Sequence, residues 1–206
     1  MAKKFIYGFL VALGALLLVA AGLAQDLENG IRLYKENKFS EAEAVLRHVI
    51  ENDEENPRGH YQLGLTLLEL ERLDEAESEM NQAAQLGLAP DEAKVGLARV
   101  FMKKGDTAQA LTLLNEAETV KEDNAEVYHY RGIVKASRQD FASSAADLEK
   151  AILIDPSNPY SYYYAGMSYS RLKRPDKMVN YFQMFLKLAP NAPEAPKVQS
   201  LLRSVR

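Results

Sequence analysis

Apolar residues recur along this chain with the three- and four-residue spacing that is typical of amphipathic helices. A longer period of 34 residues runs through the same pattern and is marked by a column of small residues. The members of this first column are Gly30, Gly64, Ala98, Gly132 and Gly166. A period of this length in five successive cycles predicts a repeat protein.

Three further columns keep the same phase. The second column, twelve positions after the first, is small in four of its members: Ala42, Ala76, Ala110, Ser144 and Met178. The third column is large and apolar: Leu46, Met80, Leu114, Leu148 and Phe182. The fourth column consists of Val49, Ala83, Ala117, Ala151 and Phe185. Each cycle therefore predicts two amphipathic helices, in which small residues let the backbones approach and a large residue fills the groove beside them.

Residues that start and stop helices lie between these segments. Ser40 and Asp74 each precede a glutamate by three positions, and this capping-box spacing predicts that both are N-caps. Gly105 is expected to end one helix, and Asp106 or Thr107 to begin the next.

Proline-containing segments interrupt the pattern toward the C-terminal end. "DPSNP" after Ile154 and "APNAP" after Leu188 predict helix ends, because proline cannot continue a helix. Residues 191–206 predict a last helix with Pro196 in its first turn, where proline is tolerated. Such a polar-backed helix would cap the array, since stacked repeats need a soluble end.

These columns resemble the tetratricopeptide repeat, and the resemblance covers residues 23–190. The fullest match consists of Tyr128, Gly132, Phe141, Leu148, Ala151 and Pro156. It implies an all-α, right-handed α-solenoid with five helix-turn-helix repeats and a C-terminal capping helix. The expected repeats lie at about 25–56, 57–90, 91–124, 125–158 and 159–190, with the cap at 191–206. Because this fold hosts many partners, the resemblance does not name a function.

The last repeat departs from the family pattern. Met178 and Phe185 stand where small residues are usual. We therefore expect the second helix of this repeat to lie further from its neighbour, or to leave an apolar surface.

The first 24 residues differ from the rest of the chain. Lys3 and Lys4 precede an uncharged apolar run, residues 5–24, that ends in small residues before Gln25. This pattern predicts a signal peptide that is cleaved near Ala24. The alternative is an uncleaved membrane anchor, because about 20 apolar residues suffice to span a bilayer. In both cases the repeats would lie outside the cytoplasm, which we interpret as the bacterial periplasm.

The composition and motifs argue against catalysis and against metal or nucleic-acid binding. The chain has no cysteine, its formal net charge is −4, and its three histidines lack metal-binding spacing. No serine lies in a nucleophile motif, and His60 is expected to be a packing residue. We therefore expect no catalytic residue, no metal and no cofactor. An enzyme whose active site requires another subunit remains an alternative.

The resemblance also implies where a partner would bind. In this family the first helices of the repeats line a concave groove, whose apolar and aromatic character here suits an extended peptide or an amphipathic helix. The candidate partner-binding residues are Ile31, Tyr34, Lys35, Tyr61, Leu65, Leu68, Val95, Arg99, Met102, Lys103, His129, Ile133, Tyr160, Tyr163, Met167 and Arg171. Other inward positions are Leu27, Arg58, Glu69, Glu92, Glu126, Ala136, Ser137 and Ser170. The convex face and the last repeat are alternative binding surfaces.

The tyrosines of "PYSYYYAGMSYS" divide between the core and this groove. Tyr162 and Tyr169 fall on core columns of the repeat, whereas Tyr160 and Tyr163 fall on inward columns. Tyr164 falls on neither and is expected to pack beside the previous repeat.

These features favour a non-enzymatic interaction module, a scaffold, adaptor or chaperone-like protein of the periplasm that binds a protein or peptide. In this hypothesis apolar anchors provide affinity, and Arg99, Lys103 and Arg171 orient the partner. The membrane would be contacted only through residues 5–24 if they are uncleaved. The alternative function is a membrane-anchored accessory subunit of a larger envelope complex, with Met178, Phe182 and Phe185 as its interface.

Overall fold

The computed structural model describes residues 21–204, and every regular element within this range is an α-helix. The chain divides into two compact units, the N-terminal unit Met1–Ala89 and the C-terminal unit Pro90–Arg206. Most of the predicted signal peptide or anchor, residues 1–24, lies outside the described residues. Within residues 21–204, none of the helices combines the length and apolarity that a membrane span requires.

The N-terminal unit contains four described helices. Helix α1 includes residues 21–35, and the others are α2 (Phe39–Asn52), α3 (Pro57–Glu69) and α4 (Leu73–Gln85). Helix α3 packs against both α2 and α4.

The C-terminal unit contains three helix pairs and one further helix. They are α5 (Pro90–Lys104), α6 (Thr107–Val120), α7 (Ala125–Ser137), α8 (Phe141–Ile154), α9 (Pro159–Arg171), α10 (Pro175–Leu188) and α11 (Ala195–Arg203). Each helix packs against the next one in the chain, and α7 also contacts α5 and α9. The predicted all-α class of consecutive helix-turn-helix units is confirmed.

All four sequence columns are buried, as their residue types predict. The first column lies directly against the third within each helix pair. A Cβ atom added at Gly132 would lie 2.6 Å from Cγ of Leu148, and one added at Gly166 would lie 2.5 Å from Cδ1 of Phe182. These glycines therefore leave the space that the large residue of the second helix occupies.

The turn inside each helix pair also follows the 34-residue period. Its central residue has a positive φ, between 56° and 83°, at Asn37, Glu71, Gly105, Gln139 and Lys173. The N–H of the next residue returns to a carbonyl five positions earlier, as in Asp106 to Phe101 at 2.9 Å. This arrangement satisfies a carbonyl at the end of the first helix and makes the returning residue the N-cap of the second helix.

This turn explains why two of the predicted N-caps are wrong. Helix α2 begins at Phe39 after the N-cap Lys38, so Ser40 lies inside its first turn. Helix α4 likewise begins one residue before Asp74. The prediction at Asp106 is confirmed, because its carboxylate accepts the N–H of Gln109 at 3.0 Å. The turn geometry, and not the capping-box spacing, sets these helix starts.

Helix ends near proline agree with the sequence. Helices α8 and α10 end at Ile154 and Leu188, and α11 has Pro196 in its first turn. Helix α11 buries Ala195 and Val198 in one cluster with Met178 and Phe185 of α10. These two large residues are therefore enclosed by the end helix, although Met184 and Leu188 on α10 remain exposed.

A buried ionic network joins the helices of the fourth helix pair to α6. Arg131 on α7 donates from Nε and Nη2 to Asp147 on α8, at 2.9 and 3.0 Å. It also donates to Glu118 and to Asn115 on α6. Burial lowers the pKa of Arg131, but the hydrogen bonds that it donates to Asp147 and Glu118 outweigh burial and raise it. The guanidinium is therefore a charged structural group.

Candidate partner-binding groove

The N-terminal unit places half of its six predicted groove residues in the interior. On α1, Ile31 and Tyr34 are half-buried and Lys35 is exposed. On α3, Tyr61, Leu65 and Leu68 are all buried, and only 2% of Leu68 is accessible. The prediction that Leu68 contacts a partner is wrong for this structure, because its side chain is enclosed by protein.

The C-terminal unit places its predicted residues on the neighbouring helices α5, α7 and α9. We call the surface that these three helices line the C-terminal groove. Val95 is completely buried in a cluster with Ala98 and Leu114, so its assignment to the groove is wrong. Half-buried positions are Arg99, Met102, Ile133, Tyr160 and Met167, whereas Lys103 and Arg171 are exposed.

Aromatic rings form a continuous row across α7 and α9, which we call the aromatic strip. It consists of Tyr130, His129, Tyr164, Tyr163 and Tyr160. The His129 ring lies 4.9 Å from that of Tyr130 and 6.0 Å from that of Tyr164. Tyr163 then lies 5.1 Å from Tyr164 and 6.5 Å from Tyr160. All four contacts are edge-to-face, the geometry in which one ring's positive edge meets another ring's negative face.

One tyrosine of the strip is packed into the core, whereas the other three are partly exposed. Only 8% of Tyr163 is exposed, and its ring packs 5.3 Å from that of Phe185. Tyr160, Tyr164 and Tyr130 are half-buried. The predicted contact of Tyr164 with the previous repeat is confirmed by its ring contact with His129. Tyr163 therefore supports the strip from the core, and the other three tyrosines are partly accessible to solvent.

The remaining tyrosines of α9 are structural, as the repeat columns predict. The hydroxyl of Tyr162 donates to the backbone oxygen of Pro156 at 3.1 Å. The hydroxyl of Tyr169 donates to Glu149 at 2.7 Å, and its ring stacks on that of Tyr181. Both are buried and hold α9 against the helices around it.

His129 is a neutral member of the strip. Its Nδ1 lies 2.9 Å from Oγ of Ser161, and 7% of the residue is exposed. Burial and the positive charge of Arg99 lower the pKa of His129 to about 4. At neutral pH this ring therefore brings no positive charge to the groove.

Arg99 already interacts within the groove. Its guanidinium carbon lies 5.1 Å from the centre of the Tyr130 ring, a cation–π contact between α5 and α7. Its charge also acts on the carboxyl group of the nearby Glu126. The predicted role of Arg99 in orienting a partner stays a prediction, and the structure adds that this arginine is held on the strip.

A row of carboxylates follows one edge of the strip. Glu92, Glu126, Tyr160 and Glu194 are successive members of one 34-residue column, and the Tyr160 hydroxyl donates to Glu194 at 3.3 Å. We call Glu92, Glu126 and Glu194 the acidic edge. Glu92 and Glu126 are predicted inward positions but are not among the predicted partner-binding residues, and Glu194 is in neither set. The period itself was the signal that could have found this third carboxylate.

Glu126 is exposed to solvent, yet protein on several sides limits the hydration of its carboxylate. This desolvation raises its pKa; Arg99 lowers it, and the charges of Glu92 and Asp155 raise it. The net shift is upward. The negative charge of Glu126 is therefore less well stabilised by its surroundings than in free solution.

His60 has a structural role in the N-terminal unit. It is buried, with Nδ1 2.6 Å from Oε2 of Glu79 and Nε2 3.0 Å from the backbone oxygen of Glu54. It lines an open cavity of about 480 Å³ together with Glu51 and Glu55. In residues 21–204 no group of acidic and histidine side chains has the arrangement of a metal site.

Models of a known protein family match the part of the chain that carries the repeat columns. The family model described as tetratricopeptide repeat matches residues 27–93, 63–127 and 95–159. A second model of the same description matches residues 160–192. No curated protein matches the chain.

Solved structures with the same fold are distant in sequence. The tetratricopeptide repeat protein TTC0263 of Thermus thermophilus is 20% identical, with a TM-score of 0.77 over 88% of this chain and 97% of that one. YrrB, described as having an unusual peptide-binding site, is 19% identical, with a TM-score of 0.56 over 85% and 90%. A chain of the Cut9–Hcn1 hetero-tetramer is 18% identical, with a TM-score of 0.80 over 89% of this chain and 36% of that one.

The family matches run from residue 27 to residue 192, and the helix pairs and buried columns occur in the same part of the chain. The protein therefore belongs to the tetratricopeptide repeat family.

Proposed function

We propose that this protein is a non-enzymatic protein–protein interaction module that holds a peptide or helix of a partner in its C-terminal groove. It would act as a scaffold, an adaptor or a chaperone-like component. The observation that carries this proposal is the aromatic strip, whose three half-buried tyrosines present apolar surface on adjacent helices. Partly exposed aromatic side chains that are held rigidly from below are typical anchors of protein interfaces.

Apolar side chains extend the strip toward the other end of the groove. Met102, Ile133 and Met167 lie on α5, α7 and α9 and are half-buried. Together with the tyrosines they form a surface of mixed aromatic and aliphatic character, which suits an extended or helical segment. The peptide-binding site named for YrrB and the complex of Cut9 with Hcn1 support such a role by analogy of fold alone.

We further propose that the protein acts in the bacterial periplasm. Support comes from the positively charged start and apolar run of residues 1–24. Cleavage near Ala24 would release a soluble module, whereas retention of residues 5–24 would anchor the protein as an accessory subunit of an envelope complex. The mass of the purified protein distinguishes these forms. A chain that starts at Gln25 supports release, and an intact N-terminus with detergent dependence supports the anchor.

Surface charge placed in the groove tests the interaction function. The double variant I133E/M167E puts carboxylates on two half-buried groove positions. The matched control is V120E/L153E, which adds the same charge at positions that are 49% and 83% exposed on α6 and α8. Both variants are checked by circular dichroism and thermal unfolding before use as bait in envelope extract, with captured proteins identified by mass spectrometry.

Loss of capture by the folded I133E/M167E variant, with capture retained by the control, is the expected result. Equal capture by both variants would contradict binding in the groove. The second helices of the repeats or the last repeat would then be the candidate binding surfaces.

A further inference from the structure

We propose that the C-terminal groove recognises a basic side chain, arginine or lysine, that is flanked by apolar residues in an extended segment of the partner. This inference rests on the proposed function, in which the groove holds a partner peptide. It differs from the sequence-based expectation that cations of the groove orient the partner, since here the decisive charge belongs to the partner.

The aromatic strip provides surfaces that attract cations. A ring of tyrosine carries a negative face that attracts a guanidinium or ammonium group above it, most strongly when water is excluded. Tyr130, Tyr160 and Tyr164 are the half-buried rings of the strip. Edge-to-face contacts with the buried rings of His129 and Tyr163 hold Tyr130 and Tyr164 in place.

Arg99 is an internal example of this recognition. Its guanidinium lies over the Tyr130 ring and close enough to Glu126 to influence that carboxyl. One guanidinium of the protein thus already lies over a ring of the strip and within electrostatic reach of the acidic edge. On α9, Tyr160 and Tyr164 likewise combine aromatic rings with a nearby carboxylate, because the charge of Glu194 acts on both of them.

The charge beside the strip is complementary to a basic partner. The acidic edge contributes the carboxylates of Glu92, Glu126 and Glu194, and Asp155 lies within electrostatic reach of Glu126. Arg99 is the cation that acts on both Glu126 and His129. The exposed cations Lys103 and Arg171 lie in the last turns of α5 and α9, away from the first turns that carry Glu92 and Glu126. A positive side chain from the partner would therefore meet carboxylates at the first-turn end of the groove.

The states of two titratable groups favour the same occupant. The raised pKa of Glu126 means that its negative charge is poorly stabilised by its surroundings, and a cation nearby would stabilise it. His129, on the same helix, is neutral at pH 7 and does not repel a cation. The partner's charge thus meets a negative edge and neutral rings.

The positions along the helices indicate where each part of the segment lies. Glu126 is in the first turn of α7, Tyr130 follows one turn later, and Ile133 after that. On α9 the same order runs from Tyr160 to Met167 and ends at the exposed Arg171. The basic residue would therefore bind near the first turns, and its apolar neighbours near the middle of the helices.

A positional-scanning library tests this inference with the full-length protein. The probe is a set of fluorescent, N-acetylated and C-amidated hexapeptide pools, each fixed at one position as arginine, citrulline, lysine, leucine or glutamate. Citrulline has nearly the size of arginine but no charge, because a carbonyl oxygen replaces one nitrogen of the guanidinium. We expect arginine-fixed pools to bind at least about tenfold more tightly than citrulline-fixed pools at the preferred position, as a desolvated cation–π contact with neighbouring carboxylates predicts.

Two variants and a control assign the preference to the acidic edge. The charge reversal E126K/E194K should bring the arginine-to-citrulline ratio to about one, since the carboxylates no longer attract the cation. The neutral variant E126Q/E194Q, which keeps an acceptor for the Tyr160 hydroxyl, should lower the ratio to about threefold, because the cation–π contact with the strip remains. The control E116K/E122K makes the same charge change where Glu116 pairs with Lys94 and Glu122 interacts with Lys150, and it should leave the ratio unchanged.

The outcomes separate this inference from the proposed function. If apolar pools bind and I133E/M167E abolishes that binding, but arginine and citrulline pools bind alike, the groove function stands and the basic-residue inference is overturned. A preference for glutamate, or a ratio that survives E126K/E194K, overturns it as well. If no pool binds in a manner sensitive to I133E/M167E, the groove function itself is contradicted.

Discussion

The first helices of the repeats, which we call the inner helices, are α1 and α3 in the N-terminal unit and α5, α7 and α9 in the C-terminal unit. Equivalent positions on these helices differ in solvent exposure between the two units. Leu65 on α3 is buried, whereas Ile133 and Met167, its equivalents on α7 and α9, are half-exposed. Leu68 is buried and its equivalent Met102 on α5 is half-exposed. Position within the repeat therefore does not decide accessibility. The C-terminal unit carries the accessible groove because of what surrounds each position in the folded chain.

The units also differ in how polar groups join their helix pairs. In the N-terminal unit His60 on α3 meets Glu79 on α4, and in the C-terminal unit Arg131 on α7 meets Asp147 on α8. The arginine makes several charge-assisted bonds to three side chains, whereas the histidine makes one to a carboxylate. The C-terminal unit thus depends more strongly on a single buried charge.

The largest expected effect comes from breaking that buried network. R131A removes the guanidinium from Asp147 and Glu118 and leaves Asp147 with Lys135, whose Nζ lies 2.7 Å from Oδ2. We expect it to lower the free energy of unfolding by about 3–4 kcal/mol. Chemical denaturation followed by circular dichroism measures the change. The double variant R131L/D147L removes both charges and should recover a large part of the loss, while a double variant as unstable as R131A would contradict this account.

The second prediction concerns the pH dependence of the C-terminal unit. Because the pKa of His129 is lowered to about 4 from an ordinary value near 6.5, the folded protein favours the neutral ring. This contribution is complete above pH 6.5 and is lost as the pH falls toward 4, by up to about 3 kcal/mol. H129Q should remove that part of the slope of unfolding free energy against pH. Parallel slopes for the variant and the natural protein between pH 4 and 7 would show that His129 does not titrate in this way.

The first-column glycines provide a direct comparison between the units. A Cβ at Gly132 would lie 2.6 Å from the branched Cγ of Leu148, whereas one at Gly64 would lie 3.0 Å from the flexible terminal carbon of Met80. We expect G132A to destabilise the protein by about 1–3 kcal/mol through overpacking. G64A is the matched control and should cost less, because the methionine can move. Thermal unfolding of both variants tests the order, and an equal or larger loss for G64A would contradict it.

The smallest effect is expected at the turns inside the helix pairs. Glu71 in the N-terminal unit has φ 60°, and the equivalent Gly105 in the C-terminal unit has φ 83°. Because a left-handed conformation costs a non-glycine residue about 1 kcal/mol, E71G should raise the free energy of unfolding by up to about that amount. The converse variant G105A should lower it by a similar amount. As a control, R138G, at a position where φ is −86°, should not stabilise the protein.

Much of the candidate site followed from the repeat period. The period assigned Tyr160, Met167 and Ile133 to the inner helices, and all three are partly accessible there. It also assigned Val95 and Leu68, which are buried. The difference could not be predicted, because a residue on an inner helix also packs against the helices on either side of it. How far it is covered depends on the size and placement of their side chains.

The helix starts show a similar division. Ser40 and Asp74 have the spacing of capping boxes, but the helices begin one residue earlier than each of them. A hydrogen bond from the next residue back to the preceding helix sets the start in every one of the five turns. This bond depends on a left-handed backbone conformation at residues as different as Asn37 and Lys173, so residue type alone does not reveal it.

The amino-acid sequence was sufficient to establish the helix pairs, the four packing columns and the family, because a period of 34 residues encodes contacts that recur between neighbouring helices. Folding was needed to bring Tyr130, His129 and Tyr164 into one strip and to set Glu194 beside Tyr160. Tyr130 and His129 are neighbours on α7, but Tyr164 lies on α9 and Glu194 directly before α11, and the contacts between these segments depend on side-chain directions across a packed surface. For that reason the repeat can be recognised in the sequence, whereas the contacts among the groove side chains can be determined only from the folded structure.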